Sequence, residues 1–294
     1  MKSRYKINEK KRRKERMAKY KIRYKKFLLI LTIIILILIV WGKFGEPNLL
    51  MINDYKIESE TLPNSFNGIR IVHFSDLHYG ITKQKKLEKT IEQINSLKPD
   101  IVVFTGDLVE NKYKLTDDDT KLLVKNLKSI NAKLGKYAIY GNKDVKNDNY
   151  DDIMYDSKIT VLKNNYDTVY NEKNESILIY GLDDTLEGNP LINNINNKNI
   201  KNIKYKIVLL HEPDYIDEFI NDYDVSLVLA GHSHGKQVNI FGKLFMPQGC
   251  KKYYKSYYDV NETPLYISNG IGNSGINFRL FSVPSINIYR LYTK

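Results

Sequence analysis

The sequence predicts an α/β fold, in which helices pack in layers on a mixed β-sheet, preceded by one N-terminal transmembrane helix. From residue 63 onward, short runs rich in valine, isoleucine and leucine alternate with segments of helical periodicity. In the last third of the chain the strand patterns follow one another, which indicates that the sheet is not purely parallel. An uncharged apolar stretch after a basic arm predicts the transmembrane helix.

Residues 1–26 form a basic arm that we expect to lie in the cytoplasm. The arm holds 14 Lys and Arg and two Glu, whereas the rest of the chain carries 32 basic and 32 acidic side chains. The formal net charge of +12 therefore belongs to the arm alone. Because a neutral body does not attract a phosphate backbone, nucleic acid is not an expected partner, and a nucleic-acid enzyme that uses the arm is the weakest alternative.

Residues 27–44 form the predicted transmembrane anchor. No charged residue lies between Lys26 and Lys43, and Thr32 alone interrupts the apolar run from Phe27 to Trp41. At ~1.5 Å per residue this uncharged stretch spans roughly 24 Å, slightly less than the ~30 Å hydrocarbon core of a bilayer. Since basic flanks stay in the cytoplasm, we expect a single-pass protein of the cell membrane whose folded body is extracytoplasmic.

Two alternatives to an uncleaved anchor remain open. A buried globular helix fits poorly because the segment has no polar face. A cleaved signal peptide is the more serious alternative, although residues 40–42 match a cleavage site only loosely and no Gly or Pro ends the apolar run early. The paired Arg12 and Arg13 lack the apolar residues expected after a twin-arginine export signal.

The folded domain is predicted to cover residues 63–294. Residues 45–62 before it are predicted to be a linker with one short strand at residues 55–57. The asparagine- and lysine-rich residues 189–202 are predicted to form a solvated loop or a polar helix rather than a site.

Three helices are predicted within this domain. Leucine and isoleucine recur every three or four residues over 85–97, and again over 115–134, where Thr116 and Asp117 are suitable caps. A proline in the first turn opens the third predicted helix, residues 213–221.

Polar side chains follow five of the apolar runs, at the point where each predicted strand ends. In chain order these side chains are Asp76 and His78, Asp107 after Gly106, Asn142 after Gly141, His211, and His232 and His234 after Gly231. Because the carboxyl ends of neighbouring strands meet at one edge of a sheet, we expect these side chains to converge. Carboxylate, imidazole and amide oxygen are suitable ligands for two adjacent divalent metal ions.

Such a pair of ions is typical of phosphate-ester hydrolysis. Asp107 offers two oxygens and is the predicted bridging ligand, while the amide of Asn142 can ligate without adding charge. Two ions ~3.5 to 4 Å apart share a hydroxide of lowered pKa and stabilise an in-line attack on phosphorus. The glycines that precede three of the ligands leave room where backbone crowds the cluster.

The motif series resembles the calcineurin-like metallophosphoesterase superfamily over about residues 66–290. The surroundings of residues 75–78, 182–184, 211–213, 231–237 and 267–272 are similar to its membrane-associated bacterial branch, whose relatives include phosphodiesterases and UDP-diacylglucosamine pyrophosphohydrolases. The resemblance implies a four-layer αββα sandwich with two mixed β-sheets. It also implies two divalent metal ions, and mixed nitrogen and oxygen ligands accept Mn, Fe or Zn without revealing which.

The metal ligands and the residues next to Asn142 take their roles from this resemblance, whereas Arg279 is chosen for its chemistry. The first metal is assigned to Asp76, His78 and His234, and the second to Asn142, His211 and His232, with Asp107 bridging the two. The predicted catalytic residues are Asp107, Asn142, Lys143 and Asp144. The predicted substrate-binding residues are Lys143 and Arg279, since a guanidinium suits phosphate.

Lys143 departs from the family pattern, which usually has a histidine at this position. In relatives that histidine lies over the substrate phosphate and is proposed to protonate the leaving group. A lysine with an ordinary pKa near ~10.4 is a poor acid at neutral pH, although it can bind phosphate oxygens as a fixed charge. We therefore expect weak turnover of esters with basic leaving groups. A metal-binding scaffold of the same fold with little or no hydrolytic activity remains the alternative.

Several further residues keep ordinary structural interpretations. His73 is predicted to be a strand-face histidine, and Asp183 and Asp184 are predicted to serve turns or packing. The aromatic and basic residues 251–258 are interpreted as an exposed hairpin, with a substrate-binding rim as the functional alternative. The single cysteine, Cys250, excludes an intrachain disulfide.

These observations predict a membrane-anchored dinuclear-metal phosphohydrolase. We expect it to act on phosphodiesters or pyrophosphates through a metal-bridging hydroxide. The expected substrate is a phosphate-ester small molecule or an envelope lipid or polymer, and the expected partner of the N-terminal helix is the membrane.

Overall fold

Twelve strands form two six-stranded sheets in the part of the chain that the structure describes. The structure is a computed structural model that describes residues 2–192, 195, 200–240 and 246–294. The strands are β1 (Met51–Ser59), β2 (Arg70–Phe74), β3 (Ile101–Phe104), β4 (Gly135–Ala138), β5 (Thr160–Val161), β6 (Asn165–Tyr170), β7 (Ser176–Gly181), β8 (Lys206–Leu210), β9 (Leu227–Ala230), β10 (Tyr257–Val260), β11 (Thr263–Ile267) and β12 (Ser285–Thr293).

Both sheets are mixed. The first has the order β1-β12-β2-β3-β4-β5, and the second has the order β10-β11-β9-β8-β7-β6. The strands β2, β3, β4 and β5 are parallel, as are β7, β8, β9 and β11, while β12 runs antiparallel to β2. Their carboxyl ends therefore lie at one edge of each sheet.

The strand sequences alternate their side chains between two apolar layers. Ile71 and Val103 lie in the core between the two sheets. Val72 and Phe104, one position further along, lie in the core between the first sheet and the helices. A third core covers the outer face of the second sheet and includes Ile216. The result is the predicted sandwich of two mixed sheets with helical layers outside.

Four α-helices are present in the described residues: α1 (Lys2–Val40), α2 (Gln84–Ser96), α3 (Asp117–Lys128) and α4 (Tyr150–Asp156). α2 confirms the helix predicted at residues 85–97. α3 begins as predicted, because Thr116 caps it and Asp119 completes a capping box. It ends at Lys128, six residues before the predicted end, where Ser129 Oγ donates to the Asn126 carbonyl. The third predicted helix is a shorter 3-10 helix, Pro213–Glu218.

The linker predicted at residues 45–62 is wrong in extent, because the short strand predicted at residues 55–57 is the middle of a longer edge strand, β1. β1 pairs in parallel with β12 over nine residues, from Met51 beside Ser285 to Ser59 beside Thr293. Most of its side chains are half-buried or exposed because it lies at the edge of the sheet, so its pattern does not resemble that of a core strand. The folded domain therefore begins before residue 63. The predicted polar insertion, residues 189–202, lies partly outside the described residues.

Helix α1 continues into the folded body without a flexible break. After Val40 the chain forms one wider π-helical turn, Trp41–Gly45, and one 3-10 turn, Glu46–Asn48. Among the described residues, Lys11–Asn48 is the one helical segment long and apolar enough to cross a membrane. Length and composition alone support this assignment.

Candidate active site

Six of the seven predicted ligands lie in two buried groups at the strand ends. Asp76, His78 and His234 form one group, and Asp107, His211 and His232 form the other. Within each group the ligand atoms lie within 4.8 Å of one another. The strands β2, β3, β8 and β9 deliver them, as the positions of the apolar runs predict.

Asp107 lies between the two groups. Its Oδ2 is 3.5 Å from His78 Nε2 in the first group and 3.5 Å from His211 Nε2 in the second. The seventh predicted ligand, Asn142, lies beside the same atom, and its side-chain amide N–H donates to Asp107 Oδ2 at 3.3 Å. One carboxylate oxygen is therefore placed to serve both groups.

The backbone turns sharply at the ligands themselves. Five of them have positive φ angles: Asp76 at 52°, His78 at 45°, Asp107 at 62°, His232 at 64° and His234 at 49°. This left-handed conformation is uncommon for residues with a side chain and costs on the order of 1–3 kcal/mol at each position. The core strands and the loop hydrogen bonds hold the chain there. The strain is therefore concentrated where the side chains must converge.

The glycines before the ligands leave the space that the cluster needs. A Cβ at Gly106 would lie 2.8 Å from His211 Nδ1 and would also collide with the backbone of Gly141. A Cβ at Gly141 would lie 2.5 Å from Asp107 Oδ1. Both positions confirm the predicted crowding of backbone at the site.

Polar partners on the outer side orient the imidazoles. His78 Nδ1 lies 2.9 Å from the Glu110 carboxylate, and His211 Nδ1 lies 2.6 Å from the Thr105 carbonyl oxygen. In both rings Nε2 is left to face Asp107. Such partners fix the ring and raise its basicity as a ligand. Sequence reasoning missed Glu110, although it lies in the same loop three residues after Asp107.

The electrostatics of the cluster suit cations. Burial lowers the pKa of both His232 and His234 to about 4, so these rings are neutral at pH 7, as metal binding requires. Burial opposes charge on His211 as well, but the Asp107 carboxylate outweighs it and raises the pKa of His211 well above its usual value. The His211 ring therefore holds a proton at the position where a histidine ligand would bind a cation.

The donor set fits two divalent ions. Among the described residues, the buried atoms Asp76 Oδ1 and His211 Nε2 have no hydrogen-bond partner. His78 Nε2 and His234 Nε2 face each other at 3.1 Å, and His234 Nε2 is 3.3 Å from Asp76 Oδ1. Lone pairs that converge in this way leave polar atoms unsatisfied unless a proton or a cation lies between them.

Comparison with known proteins agrees with this geometry. The model of the calcineurin-like phosphoesterase family matches residues 69–236, more than half of the chain. The chain belongs to the calcineurin-like phosphoesterase family. The family and the two ligand groups together indicate a dinuclear metal centre in a metal-dependent hydrolase.

Three relatives show the branch of this phosphoesterase. The metallophosphoesterase YkuE of Bacillus subtilis is 32% identical over 259 residues, covering 85% of this chain and 88% of that protein. The UDP-2,3-diacylglucosamine pyrophosphatase LpxG of Chlamydia muridarum is 26% identical, covering 85% and 92%. A zebrafish (Danio rerio) transmembrane protein with a metallophosphoesterase domain is 29% identical, covering 85% of this chain and 59% of that protein.

Arg279 is not positioned to contact a substrate. The side chain is fully buried, and its donors bond to Asn273 Oδ1, to the carbonyl oxygens of Gly272 and Ser282, and to His234. The prediction that Arg279 binds the substrate phosphate is therefore corrected, because no donor remains to reach an outside ligand. In this phosphoesterase Arg279 is a positioning residue for His234.

Asp144 also acts through its neighbours. Its carboxylate accepts backbone N–H bonds from Asp107, Leu108 and Gly141, and so joins the loops that follow β3 and β4. Burial and the nearby Asp107 charge raise the pKa of Asp144 to about 7, against the effect of these bonds. The predicted catalytic role of Asp144 is better described as positioning.

Lys143 lies on the half-buried side of the site. Its backbone N–H donates to Asp107 Oδ1 at 2.8 Å, and its Nζ donates to the side-chain amide oxygen of Asn142 at 3.2 Å. The ammonium group is therefore next to the second ligand group.

The remaining polar residues have structural roles in the described chain. His73 is buried between strands, where it contacts Tyr289 Oη at 3.1 Å and Thr105 Oγ1 at 2.9 Å, so the strand-face prediction is confirmed. Asp183 and Asp184 accept backbone N–H bonds within their own turn, which confirms the predicted turn roles.

The start of the aromatic and basic segment, residues 251–258, is packed rather than free. The Asp214 carboxylate accepts the backbone N–H groups of Lys251, Lys252 and Tyr253. Tyr254 lies nearer the site, because Ser233 Oγ is 3.5 Å from its carbonyl oxygen. Only Tyr257 and Tyr258 belong to a hairpin, as the start of β10, which pairs antiparallel with β11, so the hairpin interpretation covers two of the eight residues.

Proposed function

We propose that this protein is a membrane-anchored phosphohydrolase that cleaves phosphodiester or pyrophosphate bonds. The observation that carries the proposal is the position of Asp107, whose single Oδ2 lies 3.5 Å from a histidine of each ligand group. Asp76, His78 and His234 would hold one ion, and Asn142, His211 and His232 the other, with Asp107 shared. When bound, two such ions supply a water of lowered pKa and neutralise charge on the phosphate.

The chain's own residues decide which leaving groups are tolerated. Lys143 places a fixed positive charge beside Asn142, where it can bind phosphate oxygens. A lysine ammonium is in general a weaker acid than an imidazolium, so it donates a proton to a leaving group less readily. A phosphate leaves as a stable anion, whereas an alkoxide needs a proton, so a pyrophosphate is the better substrate. The pyrophosphatase activity named for the chlamydial relative supports this choice.

The proposed location is the outer surface of the cell membrane. The apolar part of α1 is exposed along its length, and only 6% of its most apolar window is buried in the protein. The basic arm before it favours a cytoplasmic N-terminus and an extracytoplasmic phosphoesterase domain. Because the named substrate of LpxG carries two acyl chains, a lipid-linked phosphate is the substrate class we favour.

A substrate screen on the full chain in lipid nanodiscs tests the activity. The protein is loaded with Mn²⁺, Fe²⁺ or Zn²⁺, and bound metal is measured by elemental analysis. Bis-p-nitrophenyl phosphate, p-nitrophenyl phosphate and a UDP-sugar then represent diesters, monoesters and pyrophosphates. We expect metal-dependent turnover of the diester and the pyrophosphate, with His211→Gln as the inactive control and Tyr170→Phe as the neutral one. Bound metal without turnover of any substrate would instead support the scaffold.

Labelling in intact cells tests the topology. A cysteine at the exposed Tyr170 should react with a membrane-impermeant maleimide, and one at Met17 should react only after lysis. Cys250 is buried and does not interfere. Release of the body into the medium with a new N-terminus near Lys43 would show that the anchor is a cleaved signal peptide.

A further inference from the structure

The end of the anchor packs directly against a loop of the active site. We call Trp41 to Asn48 the junction, and residues 273–282 the site loop. The Gly42 carbonyl oxygen accepts the backbone N–H of Arg279 at 2.9 Å. A Cβ at Gly42 would lie 2.9 Å from the backbone carbonyl oxygen of Arg279 and 2.5 Å from Phe278 Cζ, so a side chain here would push the two segments apart. The site loop therefore contacts the chain at Gly42, immediately after the last residue of the apolar run.

A buried carboxylate fastens the two segments together. Glu46 is 2% exposed, and its carboxylate accepts the backbone N–H groups of Phe281, at 2.9 Å, and of Ser282. It also accepts the indole N–H of Trp41 at 3.2 Å. Lys86 of α2 holds the junction from the other side by donating to the Pro47 carbonyl. The orientation of the body relative to the end of α1 is thus fixed by charge-assisted hydrogen bonds.

The same loop reaches a metal ligand. Arg279 Nη2 lies 3.2 Å from His234 Nδ1, and Ser282 Oγ donates to the His234 carbonyl oxygen at 2.5 Å. A single loop residue, Arg279, therefore contacts the anchor end through its backbone and His234 through its side chain. Because the apolar run of α1 ends at Trp41, the first ligand group lies close to the level of the bilayer surface.

Exposed apolar side chains are concentrated at this junction. Among the described residues outside α1, tyrosines apart, the three most exposed large apolar side chains are Phe44 at 68%, Ile276 at 62% and Phe281 at 58%. One lies on the junction and two lie on the site loop. The free energy falls when apolar side chains beside a membrane anchor move from water into the membrane interface. These three side chains would then continue the lipid-facing surface of α1.

We infer that Phe44, Ile276 and Phe281 contact the lipid bilayer and hold the metal centre at its surface. The inference rests on the proposed anchoring and adds the direction in which the site faces. A lipid whose tails stay in the bilayer can then place its phosphate in the site without leaving the membrane. The substrate class is therefore a phosphate diester or pyrophosphate in the headgroup of a membrane lipid.

Fluorescence quenching tests the contact with lipid. Single cysteines replace Ile276, Phe281, Leu36 in the anchor, and Tyr170 as the matched exposed control. Each labelled protein is placed in nanodiscs of phosphatidylethanolamine and phosphatidylglycerol with nitroxide-labelled lipid. We expect strong quenching at residues 36, 276 and 281 and little at residue 170. Quenching at residue 36 alone would overturn the inferred lipid contact of the site loop but support anchoring by α1. No quenching at residue 36 would overturn the anchoring itself.

Kinetics separate membrane contact from a structural effect. The double substitution Ile276→Ser and Phe281→Ser is compared with Tyr170→Ser in nanodiscs. We expect turnover of a nanodisc-embedded lipid pyrophosphate to fall several-fold relative to turnover of soluble bis-p-nitrophenyl phosphate. An equal fall with both substrates, or no fall with either, would overturn the inference.

Discussion

The two ligand groups are held in place by different kinds of partner. In the first group, His78 faces the Glu110 carboxylate, and His234 faces the Arg279 guanidinium. In the second group, His211 faces the Thr105 carbonyl, and His232 Nε2 lies 2.8 Å from the carbonyl of Gln248. Charged side chains thus position the first group, while backbone carbonyls position the second.

The two ligand groups therefore depend on different parts of the protein. The first group relies on the site loop, and through Glu46 on the junction with the anchor. The second group relies on the core strand β3, which ends immediately before Thr105, and opens toward Lys143. We therefore expect distant substitutions to weaken the first ion and local ones to change substrate preference at the second. Asp107, which belongs to both, is the exception.

Asp107→Asn should have the largest effect, because it removes the charged oxygen that both groups share. Losing an outer partner of a ligand typically costs about 10- to 100-fold in metal affinity or activity, and losing the shared ligand should cost more. Elemental analysis should find fewer than two metals per chain, and kcat/KM for bis-p-nitrophenyl phosphate should fall by at least about 100-fold. The exposed Asp156→Asn is the control. Two bound metals and near-normal turnover would contradict a shared role.

Glu46→Gln should weaken the first group selectively. The amide cannot replace a carboxylate that accepts three N–H bonds, so the site loop and Arg279 should lose their fixed position. We expect about a tenfold loss of affinity for one of the two metals, measured as bound metal per chain during dialysis at graded Mn²⁺. Asp54→Asn, which removes an exposed partner of Arg290, is the control. An equal loss of both metals would argue against the division of the site.

The sequence predicted the ligands but not the partners that hold them. Asp107 and His211 each follow an apolar run, so their convergence follows from the strand pattern alone. Glu46 and Phe281 are 235 residues apart, and no local pattern pairs them. Arg279 was assigned to substrate because its chemistry suits phosphate, and only its burial shows that it serves His234. Only the middle of the strand β1, residues 55–57, was predicted for a related reason, since an edge strand has little apolar alternation.

Lys143→His should change substrate preference at the second group. An imidazolium is in general a stronger acid than an ammonium, so a histidine here should protonate the leaving group more readily at neutral pH. We expect turnover of esters with basic leaving groups to rise several-fold, while turnover of a pyrophosphate changes little. Lys146→His, in the same loop but paired with Glu187 at the surface, is the control. An unchanged or lower rate with alkyl esters would show that Lys143 does not limit the leaving group.

His73→Gln should give the smallest change, visible in the pH dependence of stability. His73 supports the second group from behind, because its partner Thr105 also accepts the N–H of His211. Burial lowers the pKa of His73 to about 3 from its usual 6.5. Below pH 6.5 the unfolded chain therefore takes up a proton that the folded chain excludes, and the folded state loses stability as the pH falls toward 3.

The contribution of this histidine is about 1.4 kcal/mol per pH unit within that window. Thermal unfolding of the EDTA-treated protein from pH 7 to pH 4 should show a shallower loss of stability for His73→Gln than for the unsubstituted chain. Tyr289→Phe removes the hydroxyl at His73 Nδ1 but keeps the titrating ring, so it should keep the steeper loss. Parallel curves for His73→Gln and the unsubstituted chain would mean that the ring already binds a proton when folded. In that case a charged side chain would support the second group as well. The two groups would then differ only in how far their charged partners lie from the ligands.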